Sequence, residues 1–528
     1  MEIERLIESL SDPRAFPQAP REVEVRQTHI SVVFLAGPFA YKIKKPLEMG
    51  FLDFHTLELR RHFCEEEVRL NRRLAPSVYL GVVPIVRENG RVRIEGGGEP
   101  IEWAVKMTRL PDNATLERRL ERGELNTVQL TNLAAKLADF HANADRGERI
   151  SRCGRFDVVA GNARENFEQA TPEVGRTVHP DVFRRLRTLM EILSVRLRPT
   201  IESRAERQAP CDTHGDLHLD HVYLFPDRAP PNDLIVIDCI EFNERFRFAD
   251  PVADMAFLAM DLKFHGRPDL ARPFADAYFA AAGDADGKEL LPFYTAYRAI
   301  VRAKVKGFEL REAEIPEAEK SKALARSRAH WLLALGELEQ PQRRPCLLLV
   351  GGLPGSGKTT LARSLTDEGD FVVLRSDVIR KEVAGLAPET RAAAEFQTGL
   401  YSSEWTERTY NECLRRAGDL MFQGRRVIVD ASFREDAHRL KFIDLAKHWG
   451  VPAAWLECQA ESAVIRGRLQ ARRGDASDAG WKVYQAAAAH WEAPGVETSR
   501  KYHALDTGGS VEDMTKSAIA LLRSLELF

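Results

Sequence analysis

The sequence predicts two folded parts: an N-terminal α+β part and a C-terminal α/β part built on a doubly wound parallel sheet. In the N-terminal part, residues 28–45 and 82–107 have the pattern of hairpins, with Glu-Asn-Gly at 88–90 as a turn, and most segments from about residue 115 look helical. These segments predict a small antiparallel lobe followed by a larger helical lobe. After residue 345, strand-like and helical runs alternate, which requires crossover helices between parallel strands.

A seam near residue 340 separates the two parts. A helical stretch rich in alanine and charge runs into Pro-Gln-Arg-Arg-Pro at 341–345, and an apolar run follows at once. A helix, a proline-bounded linker and a buried strand in this order are typical of a domain boundary. We expect one domain over 1–340, with a small lobe at about 25–110 and a helical lobe at about 111–340, and a second domain over 341–528.

Composition and charge narrow the functional class. The 528 residues include 44% hydrophobic and 29% charged residues, an ordinary globular composition. The net charge of −3 shows no basic bias, so duplex DNA binding is not expected. The 7 cysteines form no CxxC pair, and no signal peptide or apolar run of about 20 residues is found. We expect a cytoplasmic protein with reduced thiols and no membrane association, and the oligomeric state stays open.

The strongest motif is a phosphate-binding loop. It follows the first of five strands predicted in the C-terminal part, which lie at 346–350, 371–374, 427–430, 453–458 and 502–505. Residues 352–359 satisfy GxxxxGK[ST] between a strand and a helical run. Backbone N–H groups of such a loop turn toward phosphate oxygens, and the helix N-terminus adds positive potential. The lysine reaches the β- and γ-phosphates and the threonine binds Mg²⁺. The predicted ATP-binding residues are Gly352, Gly355, Ser356, Gly357, Lys358, Thr359 and Thr360, with Thr359 also a metal ligand.

The second predicted strand is followed by Asp377 and, one helical turn later, Arg380. An aspartate at the carboxyl end of a strand faces the crevice where ligands bind in such sheets. Asp377 could accept a proton from a substrate hydroxyl while Arg380 steadies a phosphate or the transition state. The alternative, a helix N-cap with a solvated arginine, stays open at this point.

Two further features complete the C-terminal site. The strand at 427–430 is apolar and ends in Asp430, as a Walker B strand does, so Asp430 is predicted to hold Mg²⁺ directly or through water. Arg468 and Arg472 are four residues apart and share a helix face, where they could clamp the transferring phosphoryl group as a lid. The alternative for these arginines is an ordinary solvated surface.

Together these four features resemble the P-loop kinases that include zeta toxins, gluconate-type kinases and polynucleotide 5′-kinases. The resemblance covers roughly residues 345–510, and its most specific element is the Ser-Asp-x-x-Arg run at 376–380. It implies transfer of the γ-phosphoryl group of ATP to a hydroxyl.

The N-terminal part carries the phrase His-Gly-Asp-Leu-His at 214–218. It resembles the catalytic loop of aminoglycoside phosphotransferases and choline kinases. The resemblance implies that Asp216 orients or deprotonates an acceptor hydroxyl, and that Asp238, at the end of a strand predicted over 234–238, binds Mg²⁺. Asp250 and Asp254 match the structural GDPxxD element of the same group.

The front lobe supplies a candidate lysine and a candidate carboxylate. Lys42 stands where the phosphate-binding lysine of this group is expected, and Lys44 points the same way. In a helix predicted over 59–74, Glu67 borders the apolar stripe, where a carboxylate is costly unless it is paired. A Lys42–Glu67 ion pair is therefore predicted; Lys44 and Glu66 remain alternatives.

One position departs from this group. The resemblance places an asparagine that binds a second Mg²⁺ five residues after Asp216, where this chain has His221, preceded by Asp220. Imidazole is a poor ligand for Mg²⁺. Either Asp220 or a water takes the place of the asparagine as a Mg²⁺ ligand, or the N-terminal lobe has weakened or changed chemistry.

Longer phrases, among them those at 40–54 and 70–85, extend the resemblance over nearly the whole chain. They resemble bacterial fusion proteins usually described as bifunctional aminoglycoside phosphotransferase-like/AAA-family ATP-binding proteins. The resemblance implies ATP and Mg²⁺ at two nucleotide sites and an acceptor that is a small molecule or a nucleic-acid 5′ end. Two alternatives remain: an N-terminal pseudokinase sensor that regulates the P-loop part, and a P-loop ATPase switch without an acceptor.

Overall fold

The computed structural model describes residues 3–50, 52–230, 232–312, 315–387, 399–471 and 480–528. Its contacts divide the chain into two compact units. Unit 1 comprises residues 1–160, 196–262 and 268–294, and unit 2 comprises residues 161–195, 263–267 and 295–528. The linker at 341–345 therefore lies inside unit 2 and does not divide the units. The boundary at 340 stays a prediction about independently folding domains.

The contacts of residues 161–195 explain why this segment belongs to unit 2. Arg185 donates to the Glu339 carboxylate at 2.6 Å and to the main-chain oxygen of Gly424 at 3.2 Å. The Phe183 and Phe167 rings pack against Trp331 with centroids 5.8 and 6.2 Å apart. These helices therefore share their contacts with the C-terminal part of the chain.

Before residue 340 the strands lie in unit 1, whereas the helical residues at 161–195, 263–264 and 295–338 lie in unit 2. The strands are β1 (Val23–Gln27), β2 (Ser31–Ala36), β3 (Phe39–Lys44), β4 (Glu48–Met49), β5 (Leu52–Asp53), β6 (Tyr79–Glu88), β7 (Arg91–Ile94), β8 (Pro100–Thr108), β9 (Cys211–Asp212), β10 (Val222–Leu224), β11 (Leu234–Val236) and β12 (Phe248–Ala249). The helices are α1 (Ile3–Leu10), α2 (Leu57–Asn71), α3 (Leu116–Glu121), α4 (Thr127–Asn143), α5 (Glu148–Cys153), α6 (Phe156–Ala170), α7 (Pro180–Glu206), α8 (Glu244–Arg247), α9 (Pro251–Phe264), α10 (Pro268–Ala282), α11 (Leu291–Glu309) and α12 (Glu317–Leu338).

The front sheet of unit 1 is antiparallel, in the order β1-β2-β3-β8-β6-β7. Its two faces are both covered: one packs on α1 through residues such as Phe34 and Tyr41, and the other packs on α2 through residues such as Cys64 and Val68. This explains the near-continuous apolar runs of β2 and β3. The turn predicted at 88–90 is present, with positive φ at Asn89 and Gly90, but its hairpin joins β6 to the short β7, and β8 returns to pair with β6.

The C-terminal part of unit 2 alternates strands and helices. In chain order these are β13 (Cys346–Gly351), α13 (Lys358–Gly369), β14 (Phe371–Arg375), α14 (Ser376–Val383), α15 (Ser403–Phe422), β15 (Arg426–Asp430), α16 (Asp436–His448), β16 (Ala453–Gln459), α17 (Ser462–Ala471), α18 (Trp481–Ala489), α19 (Val496–Ser499), β17 (Tyr502–Asp506) and α20 (Val511–Ser524). The strands form a parallel sheet in the order β14-β15-β13-β16-β17. The predicted doubly wound sheet is confirmed, and each predicted strand is extended by one residue.

Burial places the phosphate-loop strand at the centre of this sheet. Every residue of β13 is buried, and β13 is bordered by β15 and β16. Leu348 and Val350 contact a core that includes Leu361 of α13 and Met514 of α20. The carboxyl ends of β13, β14 and β15 therefore meet at one edge, where the candidate site lies. Among the helices that the structure describes, none is long and apolar enough to cross a membrane.

Candidate nucleotide and phosphoryl-transfer sites

The loop between β13 and α13 has the backbone that phosphate binding requires. Gly352, Gly355 and Gly357 have φ of 138°, 81° and 96°, in the region that favours glycine. A Cβ atom on Gly352 would lie 2.6 Å from the main-chain oxygen of Cys458, so a side chain does not fit there. α13 then begins at Lys358 and directs its free N–H groups toward the loop.

Two oxygen ligands suitable for Mg²⁺ meet beside this loop. Thr359 Oγ1 donates to Asp430 Oδ2 at 2.6 Å, and Lys358 Nζ donates to the main-chain oxygen of Leu353 at 3.0 Å. Burial raises the pKa of Asp430 above its ordinary value, although Lys358 and the Thr359 hydroxyl oppose the rise. A hydroxyl and a buried carboxylate are hard oxygen donors, so this pair fits Mg²⁺.

Asp377 lies near this pair. β14 and β15 are neighbours in register Arg375↔Asp430, and the Asp377 charge contributes to the raised pKa of Asp430. Asp377 is half-buried in the first turn of α14, while the N-cap position is occupied by Arg375, whose side chain makes no capping hydrogen bond. The N-cap alternative for Asp377 is therefore wrong. The role of Asp377 as a base stays a prediction.

Arg380 is not a solvated arginine. Its side chain is buried, and Nη1 donates to the main-chain oxygen of Leu400 at 2.8 Å and lies 3.4 Å from Thr406 Oγ1. Its guanidinium also lies over the Tyr401 ring, 5.0 Å from the centroid. In this arrangement Arg380 holds the segment before α15 against α14, and its contact with a phosphate stays a prediction.

One of the two predicted lid arginines can be placed. Arg468 in α17 donates to the main-chain oxygen of Thr507 at 2.7 Å, and its Nη1 is 3.5 Å from the position that a Cβ atom on Gly357 would take. Nη1 is buried and has no hydrogen-bond partner among the residues that the structure describes. Arg468 therefore faces the phosphate loop rather than solvent. Arg472 lies outside the described residues.

In unit 1, Lys42, Lys44 and Glu67 form one buried ion-pair network. Lys42 Nζ lies 2.9 Å from Glu67 Oε1 and Lys44 Nζ lies 2.8 Å from Glu67 Oε2. Burial opposes ionisation of Glu67, but the two ammonium groups hold its pKa below the ordinary value. Both lysines thus pair with Glu67, whereas Glu66 pairs with Arg69 at the surface. α2 ends at Asn71, so Leu74 of the predicted helix lies beyond it.

Asp238 connects this network to the catalytic loop. Lys42 Nζ donates to Asp238 Oδ1 at 2.7 Å, and His221 Nε2 lies 3.4 Å from Asp238 Oδ2. Burial alone would raise the pKa of Asp238, but Lys42 and His221 hold it well below its ordinary value. β11 ends at Val236, so the strand predicted to reach Asp238 stops two residues earlier, and Asp238 has a φ of 65°. Such a backbone conformation is uncommon outside glycine and clusters at functional sites.

The catalytic loop itself is held by the predicted structural aspartates. Asp254 accepts hydrogen bonds from the main-chain N–H groups of His214 at 2.7 Å and Gly215 at 2.9 Å. Asp250 accepts from Arg204 at 2.6 Å. Asp216 is thereby held at a fixed position with its side chain 35% exposed, and its role toward an acceptor hydroxyl stays a prediction.

Several residues of this site were not predicted from the sequence. Glu241 pairs with Lys44, and burial raises its pKa, although Lys44 opposes the rise. Tyr79 accepts from the Asp238 main-chain N–H at 3.2 Å, and His141 lies 3.2 Å from Asp254. Glu241 follows Asp238 by three residues, and a second lysine on the buried face of β3 was the available sign that a second acid is needed. No local pattern marks Tyr79 or His141.

The buried His214 predicts an acid-sensitive catalytic loop. Burial lowers the pKa of His214 from 6.5 to about 4. As the pH falls below about 6.5, His214 becomes protonated in the unfolded chain, but in the folded chain it stays neutral until about pH 4. The free energy of unfolding therefore decreases between these two pH values. The loss is at most about 3 kcal/mol. We expect to observe this loss of stability when unfolding by urea is monitored through the hydrogen exchange of the peptide over 211–224.

The His214→Gln variant should show a flatter pH dependence in the same window, because glutamine does not titrate. The exposed His62 provides the matched control, and His62→Gln should keep the parent slope. Parallel curves for the parent and His214→Gln would contradict the assignment.

Comparisons with known proteins define the class. The chain matches the model of a phosphotransferase enzyme family over residues 55–293 and that of an AAA domain over residues 347–494. It is thus a fusion of an aminoglycoside phosphotransferase-like domain with a P-loop domain of the kinase type, and both domains imply the use of ATP.

Full-length relatives define the family more narrowly. The chain is 33% identical over 505 residues to "Uncharacterized protein Rv2004c" of Mycobacterium tuberculosis (strain ATCC 25618 / H37Rv), covering 95% of this chain and 96% of the relative. "Uncharacterized protein Mb2027c" of Mycobacterium bovis matches with the same identity and coverage. The chain belongs to the family of these mycobacterial proteins.

Solved structures similar to this chain include small kinases. A sugar kinase from Janibacter sp. HTCC2649 is 20% identical, with a TM-score of 0.27, and the match covers 34% of this chain and 94% of that one. A gluconokinase from Sinorhizobium meliloti 1021 is 18% identical, with a TM-score of 0.26 and coverage of 34% and 93%. Kti12 of Chaetomium thermophilum, in complex with ADP-AlF3, is 19% identical, with a TM-score of 0.27 and coverage of 34% and 98%.

Proposed function

We propose that this protein is an ATP-dependent phosphotransferase with two nucleotide sites, and that its P-loop site transfers the γ-phosphoryl group of ATP to a hydroxyl. The observation that carries the proposal is the meeting of the Thr359–Asp430 pair with Asp377 at one edge of the parallel sheet. A nucleotide-binding switch needs the Thr359–Asp430 pair but has no use for a second carboxylate beside it. A kinase needs both, because the acceptor hydroxyl has to lose a proton.

The proposed reaction assigns each group one task. Lys358 and the loop N–H groups hold the β- and γ-phosphates. Thr359 and Asp430 would hold Mg²⁺, which would neutralise charge on the transferring group. Asp377 orients the acceptor hydroxyl and receives its proton as the acceptor oxygen bonds to the γ-phosphorus. The bond between that phosphorus and the β–γ bridging oxygen breaks, and ADP leaves. Arg468, facing the loop through Gly357, is positioned to stabilise the charge on the phosphates.

The acceptor class is a small molecule or a nucleic-acid 5′ end. Asp377 needs a hydroxyl, and Arg375 lies at the same edge, 3.7 Å from Asp430. A guanidinium at this edge suits an acceptor that is itself phosphorylated. Sugar phosphates, nucleotides and oligonucleotides with a 5′-hydroxyl therefore form the first set to test.

The test is ADP release by the full-length protein against pools of these acceptors, with product identified by mass spectrometry. We expect one pool to accelerate ADP release and to gain a phosphoryl group. Slow hydrolysis that no acceptor accelerates would contradict the kinase proposal and favour the second candidate, a P-loop switch under an N-terminal sensor. His221, in the catalytic loop beside Asp238, is the observation that favours that candidate.

A further inference from the structure

The catalytic loop of unit 1 gathers two imidazoles around Asp216. One ligand atom each from Asp216, His218 and His221 lies within 4.8 Å of the others. Asp216 Oδ2 is 3.3 Å from His218 Nε2 and 3.8 Å from His221 Nδ1. Ligands about 2.1 Å from a tetrahedral metal are about 3.4 Å apart, so these separations match one coordination shell to within a few tenths of an ångström.

The remaining nitrogen of each imidazole faces a carboxylate. His218 Nδ1 contacts Asp220, and His221 Nε2 lies 3.4 Å from Asp238 Oδ2. A metal-binding histidine almost always directs its other ring nitrogen to a carboxylate, carbonyl or water, which fixes the tautomer and makes the ligand more basic. His221 Nδ1 also lies 2.9 Å from the main-chain oxygen of Asp216, so metal binding through this nitrogen replaces that hydrogen bond.

Charge and exposure also suit a cation. The carboxylates of Asp216, Asp220 and Asp238 surround the two imidazoles, and the Lys42 ammonium is bound to Asp238. The His218 side chain is 3% exposed and that of Asp216 is 35% exposed. A metal held here would therefore have a buried side fixed by protein and an open side toward solvent.

The donor set does not fit Mg²⁺, which prefers oxygen ligands in octahedral geometry. Two imidazoles and a carboxylate are instead the ligands of zinc and other first-row transition metals. We propose that Asp216, His218 and His221 bind a first-row transition-metal dication in preference to Mg²⁺, with Asp220 and Asp238 orienting the imidazoles. Binding occupies the carboxylate that would otherwise serve an acceptor hydroxyl, so the metal controls whether this loop can support phosphoryl transfer.

Cobalt absorption tests the site without reference to activity. The untagged, metal-free, full-length protein is titrated with Co²⁺, whose visible absorption intensifies at four- or five-coordinate sites, and the bound Co²⁺ is then displaced with Zn²⁺. We expect one such site per chain, displaced by Zn²⁺ and retained in excess Mg²⁺. Displacement by an equal concentration of Mg²⁺, or failure of the absorption to develop, would overturn the proposal.

Variants assign the site to its ligands. His218→Asn and His221→Asn should each weaken Co²⁺ binding by tenfold or more, while His62→Gln and Lys358→Ala leave it unchanged. His221→Asn restores the oxygen donor expected at this position, so its preference should move toward Mg²⁺. If a ligand variant loses its circular dichroism signal, Asp220→Asn replaces it, with an expected loss of about 10–100-fold. Parent affinity in folded variants would overturn the proposal, and the unchanged Lys358→Ala result keeps this test separate from the P-loop proposal.

Discussion

ATP turnover at the P-loop site is expected to fall at least a hundredfold in the Lys358→Ala variant, while the protein stays folded. Lys358 lies at the first position of α13, where its ammonium donates to the main-chain oxygen of Leu353 in the loop and lies within the electrostatic influence of Asp430. Its removal withdraws a positive charge from the transferring group. A hundredfold loss corresponds to about 3 kcal/mol of barrier. Steady-state ADP release by the full-length protein measures it.

Two control variants make this result specific. Arg363→Ala removes a cation from the exposed side of the same helix and should leave turnover unchanged. Asp216→Asn removes the candidate base of unit 1 and should leave P-loop turnover intact. Unchanged turnover in Lys358→Ala together with loss in Asp216→Asn would move the measured activity to the N-terminal site and contradict the proposed function.

The second large effect is expected from Asp377→Asn. Phosphoryl transfer to the acceptor should fall by roughly a hundredfold or more, the usual contribution of a positioned base. ATP binding should stay nearly unchanged, because Asp377 lies in α14 and not in the phosphate loop. Since the N-cap position belongs to Arg375, the substitution removes only a favourable charge from the first turn, worth about 0.3–1 kcal/mol of stability.

Calorimetric ATP binding and acceptor phosphorylation, measured on the same preparation, separate these two effects. Asp367→Asn, an exposed aspartate of α13, provides the matched control and should behave as the parent. Full acceptor phosphorylation by Asp377→Asn would rule out its role as the base. A parallel loss of ATP binding would instead assign Asp377 to the nucleotide.

The fold was predictable because its signals are local. A glycine loop between an apolar strand and a helix is complete within about twenty residues, and the alternation of strands and helices after residue 345 is confirmed strand by strand. The front sheet was predicted as hairpins. The pairing of β6 with β8, which leaves β7 at the edge of the sheet, was not predicted. Which strand lies beside which is decided by contacts between residues far apart in the chain.

The ion-pair network of unit 1 was predictable in part. The sequence indicated Glu67 as a buried partner of a lysine on β3, because periodicity places it beside the apolar stripe of α2. It left Lys42 and Lys44 as alternatives, and the structure pairs both with Glu67 since both lie on the side of β3 that faces α2. Glu241, which completes that network, arrives from a loop almost two hundred residues away.

By itself the sequence determined the two kinds of nucleotide-binding fold, the phosphate loop and the catalytic-loop phrase, because each of these is a short pattern whose chemistry depends on neighbours in the chain. Only the tertiary structure decided that Arg468 faces the loop while Arg380 is held by the segment before α15, and that His218 and His221 converge on Asp216. Side-chain direction depends on packing between distant elements, and burial changes the charge state of a group. Neither can be obtained from residue order alone.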